Sequence, residues 1–270
     1  MSTDRTWEPA IGEAELARLT RDMDEAHRAT LPVMRESARE LADQIRVTGQ
    51  AELARRRFLL GAGGVAAALT LAACSSSKDV KDPAPSSPAG TMPGSASASA
   101  SGRYTGDLQV VALATALENQ AVGAYQATLD AAKAGKLGTV PPAVATFVTT
   151  AMAQHADHAK AWNAVLTGAG LPAITDVPLS NQPETLAALG KAASVGDVAK
   201  LALDLEDQAA QTYLFATYNV TSPAGIATAA SIAPVEAMHA AILNYVLGQY
   251  PVPDDFLPTD KAASPTLLTV

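Results

Sequence analysis

Residues 107–248 carry one motif twice, and both copies contain side chains that can bind a metal ion. Each copy pairs a glutamate on one predicted helix with two imidazole or carboxylate side chains, three residues apart, on the next. The candidate ligands are Glu118, His155 and His158 in the first copy and Glu206, Glu236 and His239 in the second. Residues three apart lie on one face of a helix. The repeat therefore predicts that the ligands of both copies meet at one site.

Four long helices are predicted to position these side chains. Glycine and proline mark the helix ends, and Ser194 and Ser222 stand where N-capping residues are preferred. The predicted helices span 107–134, 141–168, 195–219 and 223–248. Short turns join the first helix to the second and the third to the fourth, whereas 171–193 form a long crossover with a short helix at 184–189. The sequence thus predicts an all-α fold, an antiparallel four-helix bundle.

The candidate ligands fall on the apolar faces of these helices. Val111 and Val122 flank Glu118 at helical spacing, and Ala151 and Trp162 flank the two histidines of the second helix. A carboxylate buried in an apolar layer is costly unless it is paired or binds a cation. No lysine or arginine occupies these faces, so protonation, mutual hydrogen bonding and metal binding are the available compensations. Three of the four histidines lie in this layer, which favours metal.

A glutamate from each of two helices, with Glu-x-x-His from the other two, resembles the ferritin-like di-iron carboxylate arrangement. The stretch from about 104 to 255 resembles bacterial ferritin-like domain proteins, often grouped with desiccation-associated proteins, most clearly in its last helix. The resemblance implies an iron centre, which can contain two iron ions. Manganese and zinc are the alternatives. Its ligands correspond to Glu118, His158, Glu206, Glu236 and His239.

His155 departs from that pattern, because the family places a bridging glutamate there. An imidazole cannot bridge two ions as a carboxylate does. The site is therefore expected to be asymmetric, to hold one metal, or to favour zinc or another nitrogen-tolerant ion. Asp157 lies close by in sequence but is turned well away on the helix, either as a hydrogen-bonding support or as a solvated surface residue.

Tyr125 and Tyr213 follow Glu118 and Glu206 by two helical turns. Two interpretations of these tyrosines remain open. Their hydroxyl groups could lie near the site, as hydrogen-bond partners of the ligands or as redox groups. Alternatively, they could be core aromatic residues whose hydroxyl groups are satisfied elsewhere.

An export signal is predicted before the bundle. Arg55 and Arg56 begin the sequence Arg-Arg-Arg-Phe-Leu-Leu, and a short apolar run then ends in Leu-Ala-Ala-Cys at Cys74. The first motif resembles the twin-arginine export signal and the second a bacterial lipobox. The resemblance implies export by the twin-arginine machinery, cleavage before Cys74 and lipidation of its sulfur. The protein would then be anchored by lipid on the outer face of the bacterial cytoplasmic membrane.

The remaining segments are distinguished by composition. The polar N-terminal extension is predicted to form one or two short amphipathic helices, with His27 in solvent, and is either a long n-region or the result of an upstream start-site error. The segment after Cys74 is rich in Ser, Ala, Pro and Gly, as flexible tethers are. The predicted segments are the extension 1–54, the signal 55–74, the tether 75–103, the bundle 104–250 and an extended surface tail 251–270.

Two functions are compatible with these features. One is an exported oxidase-type or metal-handling protein whose iron or manganese reacts with oxygen or peroxide. The alternative is a non-catalytic structural or binding bundle with a degenerate metal site. The net charge is −8 and no basic cluster follows Arg57, so no nucleic-acid partner is expected. The sequence indicates neither a substrate nor a protein partner.

Overall fold

The computed structural model describes residues 8–69, 103–252 and 258–270, with backbone only for 50–69. The chain forms two compact units, one of residues 1–44 and 99–270 and the other of residues 45–98. Of the second unit, the described part is helical through Leu69. Cys74 and nearly all of the predicted tether lie outside the described residues, as do the side chains of Arg55 and Arg56.

The described residues form six α-helices and no strand. Ser194 and Ser222 cap the fifth and sixth helices as predicted, each accepting a hydrogen bond from a backbone N–H three residues on, at 3.1 and 3.4 Å. The helices are α1 (Glu13–Leu69), α2 (Asp107–Lys133), α3 (Pro142–Gly168), α4 (Gln182–Lys191), α5 (Val195–Asn219) and α6 (Pro223–Val246). The predicted all-α four-helix bundle is confirmed, and its four long helices are α2, α3, α5 and α6.

The bundle consists of two helix pairs, α2 with α3 and α5 with α6, and α2 also contacts α5. The long crossover between the pairs carries α4. The amide groups of Asn119 on α2 and Asn163 on α3 both donate hydrogen bonds to the carbonyl of Ile174, each at 2.9 Å. These bonds fix the crossover against the first pair, so the second pair returns beside it.

The N-terminal extension differs from the prediction. It forms one continuous helix rather than one or two short ones, and residues 13–44 belong to the same compact unit as the bundle. His27 is 2% exposed, so its predicted position in solvent was wrong. The reason is that His27 lies on the buried face of α1, at helical spacing from four other buried side chains. These are Leu16, Met23, Met34 and Leu41.

The C-terminal residues return to the crossover. Ser180 N donates to Leu267 O at 2.8 Å, and Thr269 N donates to Pro178 O at 2.9 Å. Ala263 and Leu268 are buried. The described residues 263–269 are therefore held partly by backbone pairing and are not confined to the surface.

Helix α6 is the one helix in the described ranges that is long and apolar enough to cross a membrane by length and composition alone, and 50% of its most apolar window is buried within the protein. It also carries Glu236 and His239, both fully buried. These features are those of a core helix.

Candidate metal centre

The structure brings all six candidate ligands into one buried layer. None of their side chains is more than 2% exposed. Two groups of four have ligand atoms that all lie within 4.8 Å of one another. One group is Glu118, His155, His158 and Glu236, and the other is His155, Glu206, Glu236 and His239. The groups share His155 and Glu236, so the layer has two overlapping coordination positions.

His155 lies at the centre of the layer. Its Nδ1 is 2.7 Å from Glu118 Oε2, and its Nε2 is 3.1 Å from Glu206 Oε1. Nδ1 also lies 3.7 Å from Glu236 Oε2. The two ring nitrogens thus face different glutamates, one from each copy of the motif. This is the position at which the family resemblance placed a bridging carboxylate.

Two polar atoms in the layer lie in contact without forming a hydrogen bond. His158 Nδ1 and Glu236 Oε1 are 2.8 Å apart. This is ion-pair distance when His158 is charged, but neither atom forms a hydrogen bond with any described residue. Buried polar atoms are rarely left in this condition. Both are metal-ligand atoms, so the donor set fits a divalent ion at this point.

Both tyrosines contact the ligand layer. The Tyr125 hydroxyl donates to Glu206 Oε1, and the Tyr213 hydroxyl donates to Glu118 Oε1. Trp162 Nε1 in turn donates to the Tyr213 oxygen at 2.8 Å. Each tyrosine therefore orients a glutamate on the opposite helix, and the hydrogen-bonding interpretation of these residues matches the geometry.

Carboxylates and imidazoles lie next to one another in the layer, and their opposite charges shift each other's pKa against the effect of burial. Burial alone would raise the pKa of Glu118, but the charge of His158 and a hydrogen bond from His155 outweigh it and hold that pKa at about 2. Burial would lower the pKa of His158, but the charge of Glu118 raises it to about 9. The same opposition holds the pKa of Glu206 well below its usual range and raises that of His239. A metal ion here must compete with protons for the imidazoles.

Two side chains that sequence reasoning did not assign to the site support its histidines from outside. Gln154 Oε1 accepts a hydrogen bond from His239 Nε2 at 2.8 Å, and Gln154 Nε2 donates to Asp24 Oδ1 at 3.3 Å. The His27 ring packs edge-on against His158, with centroids 5.2 Å apart. The signal available in the sequence was that His27 shares a helical face with Met23 and Met34.

Asp157 does not face the ligand layer. Its Oδ1 forms an ion pair with Nη2 of Arg35 on α1, at 3.2 Å, and both side chains are partly exposed. Its predicted alternatives were a support for the site or a surface residue, and the position agrees with the second. Its contact instead joins α1 to α3.

A small apolar cavity lies at one end of the bundle, next to the ligand layer. It has a volume of about 50 Å³ and is lined by all five long helices. Leu16, Phe147 and Leu243 contribute to its wall, and so does Tyr125, whose hydroxyl group contacts Glu206. A tyrosine ring therefore separates this cavity from the candidate metal ligands.

Residues 106–249, more than half of the chain, match the family model of the ferritin-like domain. The chain therefore belongs to the ferritin-like domain family. No curated protein and no solved structure gave a significant match.

Proposed function

We propose that this protein binds one or two divalent metal ions in the layer formed by its three glutamates and three histidines. The observation that supports the proposal most strongly is the pair His158 Nδ1 and Glu236 Oε1. These ligand atoms converge to 2.8 Å in a fully buried position and make no hydrogen bond within the described chain. The two atoms form an ion pair when His158 is protonated, and a metal cation in place of that proton would coordinate both.

Iron is the first expectation, with manganese and zinc as alternatives. Bound iron or manganese would supply redox chemistry towards dioxygen or peroxide. Three carboxylates against two divalent ions leave positive charge uncompensated, so one ion is expected to bind tightly and the other weakly. The single imidazole of His155 at the shared position favours the same asymmetry, because it replaces a carboxylate that could bridge.

An oxidase-type activity is supported by the apolar cavity beside Tyr125. Its lining is almost entirely hydrocarbon, so it suits a small apolar molecule such as dioxygen and excludes charged substrates. Tyr125 orients Glu206 at the boundary between cavity and ligands. In this proposal the chain's own groups bind the metal, hold the carboxylates in place and keep water from the layer.

A non-catalytic structural bundle is the second candidate, and one observation favours it. Both Glu118 and Glu206 already receive hydrogen bonds from a tyrosine and from His155, so much of the layer is satisfied without metal. Elemental content and metal affinity separate the two candidates.

The test is a titration of the chelator-treated full chain with Fe²⁺ under anaerobic conditions, and with Mn²⁺ and Zn²⁺. We expect micromolar or tighter binding of at least one of these ions. Glu236→Gln keeps the side-chain shape but removes the shared charge, and should weaken binding at least tenfold. Glu184→Gln, an exposed change on α4, is the matched control. Absence of binding by the wild-type chain would leave the structural bundle as the function.

We also propose that the protein is exported by the twin-arginine machinery and held in the membrane by lipid on Cys74. The order of Arg55, Arg56, the apolar run and Cys74 supports this. We further propose that the protein is of the desiccation-associated type, which its last helix resembles. Cleavage before Cys74 would place α1 and the bundle on separate chains.

A further inference from the structure

A chain of hydrogen bonds connects the ligand layer to α1. His239 Nε2 lies 2.8 Å from Gln154 Oε1, and Gln154 Nε2 donates to Asp24 Oδ1 at 3.3 Å. Because Asp24 accepts from the amide nitrogen, it fixes which end of Gln154 faces His239. The imidazole proton is thereby held on Nε2. His239 Nδ1 lies 3.1 Å from Glu206 Oε2 and 3.2 Å from Glu236 Oε2, so it faces the layer, where it would give its lone pair to a bound metal ion.

A second contact from α1 reaches His158. The His27 and His158 rings meet edge-on, with centroids 5.2 Å apart and an interplanar angle of 65°. The Nε2 atoms of both rings are buried and have no hydrogen-bond partner within the described residues. The contact thus places an imidazole with an unpartnered nitrogen beside His158, and a hydrogen bond from His158 Nε2 to His27, directly or through one water molecule, would satisfy both atoms. Such a bond would leave His158 Nδ1 available to the layer.

We propose that Asp24 and His27 of α1 are positioning residues for the metal centre, acting through His239 and His158. This inference rests on the proposed metal-binding function. Metal-binding histidines usually donate their other ring N–H to an oriented acceptor, and losing that acceptor weakens metal affinity by roughly 10- to 100-fold. In this proposal α1 orients the acceptor of His239, Gln154 on α3, and itself supplies the acceptor of His158.

Helix α1 is held in place by contacts that do not involve these two residues. Arg35 pairs with Asp157 at 3.2 Å, and Ser37 Oγ lies 2.7 Å from Thr228 Oγ1. Ser222 Oγ donates to Gln44 Oε1 at 2.5 Å. These contacts hold α1 independently of Asp24 and His27.

The proposed cleavage before Cys74 would separate both residues from the bundle chain. A chain cleaved before Cys74 loses its covalent connection to Asp24 and His27. If α1 then dissociates, His239 and His158 lose the groups that orient them. The α1 segment would in that case support metal loading before cleavage, and the cleaved protein would hold metal more weakly.

The experiment compares variants of the full chain by competition for Co²⁺ against a chelator, together with the visible absorption spectrum of the bound cobalt. Asp24→Leu removes the acceptor of the Gln154 amide, which holds Gln154 Oε1 towards His239, whereas Asp24→Asn keeps a carbonyl oxygen that can accept from Gln154. We expect roughly 10- to 100-fold weaker binding for Asp24→Leu, a changed spectrum, and rescue by Asp24→Asn. His27→Phe keeps the ring contact but removes the nitrogen, and should weaken binding to a similar degree.

Arg35→Ala is the matched control, because it removes another α1 contact without touching either histidine. Its cobalt affinity and spectrum should equal those of the wild type. If Asp24→Leu and His27→Phe also match the wild type, the inference is overturned while the proposed metal function stands. If the wild-type chain itself binds no cobalt, both fall. Urea unfolding of each variant establishes that a lost signal reflects metal binding and not loss of the fold.

Discussion

The hydroxyl group of Tyr213 on α5 donates a hydrogen bond to Glu118 on α2. The reciprocal bond runs from Tyr125 on α2 to Glu206 on α5. Each copy of the repeated motif therefore supplies a tyrosine that orients the glutamate of the other copy. This exchange accounts for the spacing of glutamate and tyrosine in both copies, and it ties the two helix pairs together at the ligand layer.

Loss of either tyrosine hydroxyl should lower the free energy of unfolding of the metal-free protein. Tyr125→Phe removes a hydrogen bond to a buried carboxylate, which is worth about 1–3 kcal/mol. Tyr213→Phe should cost at least as much, because Trp162 Nε1 loses its acceptor as well. Urea unfolding followed by circular dichroism measures both changes.

Tyr218→Phe is the matched control, since that residue is 77% exposed. Its effect should stay within about 0.5 kcal/mol, as is usual for surface substitutions. Equal stability of Tyr125→Phe and Tyr218→Phe would show that the cross-helix hydrogen bonds contribute nothing.

The stability of the chelator-treated protein should fall at both low and high pH. Glu118 has a lowered pKa of about 2 against an ordinary value of 4.5, so its contribution is present above pH 4.5 and is lost as the pH falls towards 2. His158 has a raised pKa of about 9 against 6.5, so its contribution is present below pH 6.5 and is lost as the pH rises through 9. Stability should therefore be greatest between pH 4.5 and 6.5.

Urea midpoints measured from pH 3 to about pH 10 test this dependence. His158→Gln should reduce the alkaline loss, because its side chain does not titrate. A midpoint that does not change between pH 6.5 and 9 in the wild-type protein would show that His158 is not charged in the layer.

The helices of the bundle could be predicted because their ends carry local signals. Ser194 and Ser222 cap α5 and α6, and Pro142 begins α3, all at positions read from the sequence. The convergence of the ligands could be predicted for a similar reason. Burying a polar side chain is costly unless it has a partner, so polar side chains on the apolar faces of several helices are expected to meet in one layer.

The role of α1 could not be predicted in the same way. Its buried face is interrupted by His27, and an isolated histidine among charged residues is most often solvated. What buries His27 is a contact with His158, more than a hundred residues away in the chain. Periodicity shows that a helix has an apolar face, but it does not show which partner covers that face.

A carboxylate at position 155 should strengthen binding of the weaker metal ion. His155→Glu restores a group that can bridge the two overlapping positions, and it adds negative charge to the layer. We expect the second equivalent of Fe²⁺ or Mn²⁺ to bind more tightly, with lower stability of the metal-free protein because four carboxylates repel one another.

His155→Gln is the control for the loss of the imidazole, since it brings no charge. Isothermal titration of both variants gives the affinity at each position. If His155→Glu binds no more tightly and only destabilises the fold, His155 serves the structure through its contacts with Glu118 and Glu206.

Export should depend on the twin arginines and anchoring on the cysteine. Changing Arg55 and Arg56 to Lys should retain the full-length chain in the cytoplasmic fraction. Cys74→Ala should leave the exported protein without a lipid anchor. Fractionation with labelled fatty acid measures both outcomes. A wild-type protein that is soluble in the cytoplasm and keeps residues before Cys74 would contradict the export proposal.

The contact between α1 and α3 can be tested at Gly168. A Cβ added there would lie 2.6 Å from Ala42 Cβ, which is attached directly to the backbone of α1 and cannot move away alone. Gly168→Ala should therefore destabilise the full chain, although alanine is ordinarily the better helix former. Gly123→Ala is the matched control, because no atom lies within 4 Å of its added Cβ.

Gly123→Ala should stabilise the protein by about 0.5–1 kcal/mol through helix propensity. Adding Ala42→Gly to Gly168→Ala removes the clash, so the double variant should recover most of the lost stability, less the cost of a glycine within α1. A double-mutant cycle by urea unfolding measures this coupling. If Gly168→Ala stabilises the chain as Gly123→Ala does, α1 is not packed against α3 at this point in solution. Asp24 and His27 would then have no fixed position from which to orient the histidines of the ligand layer.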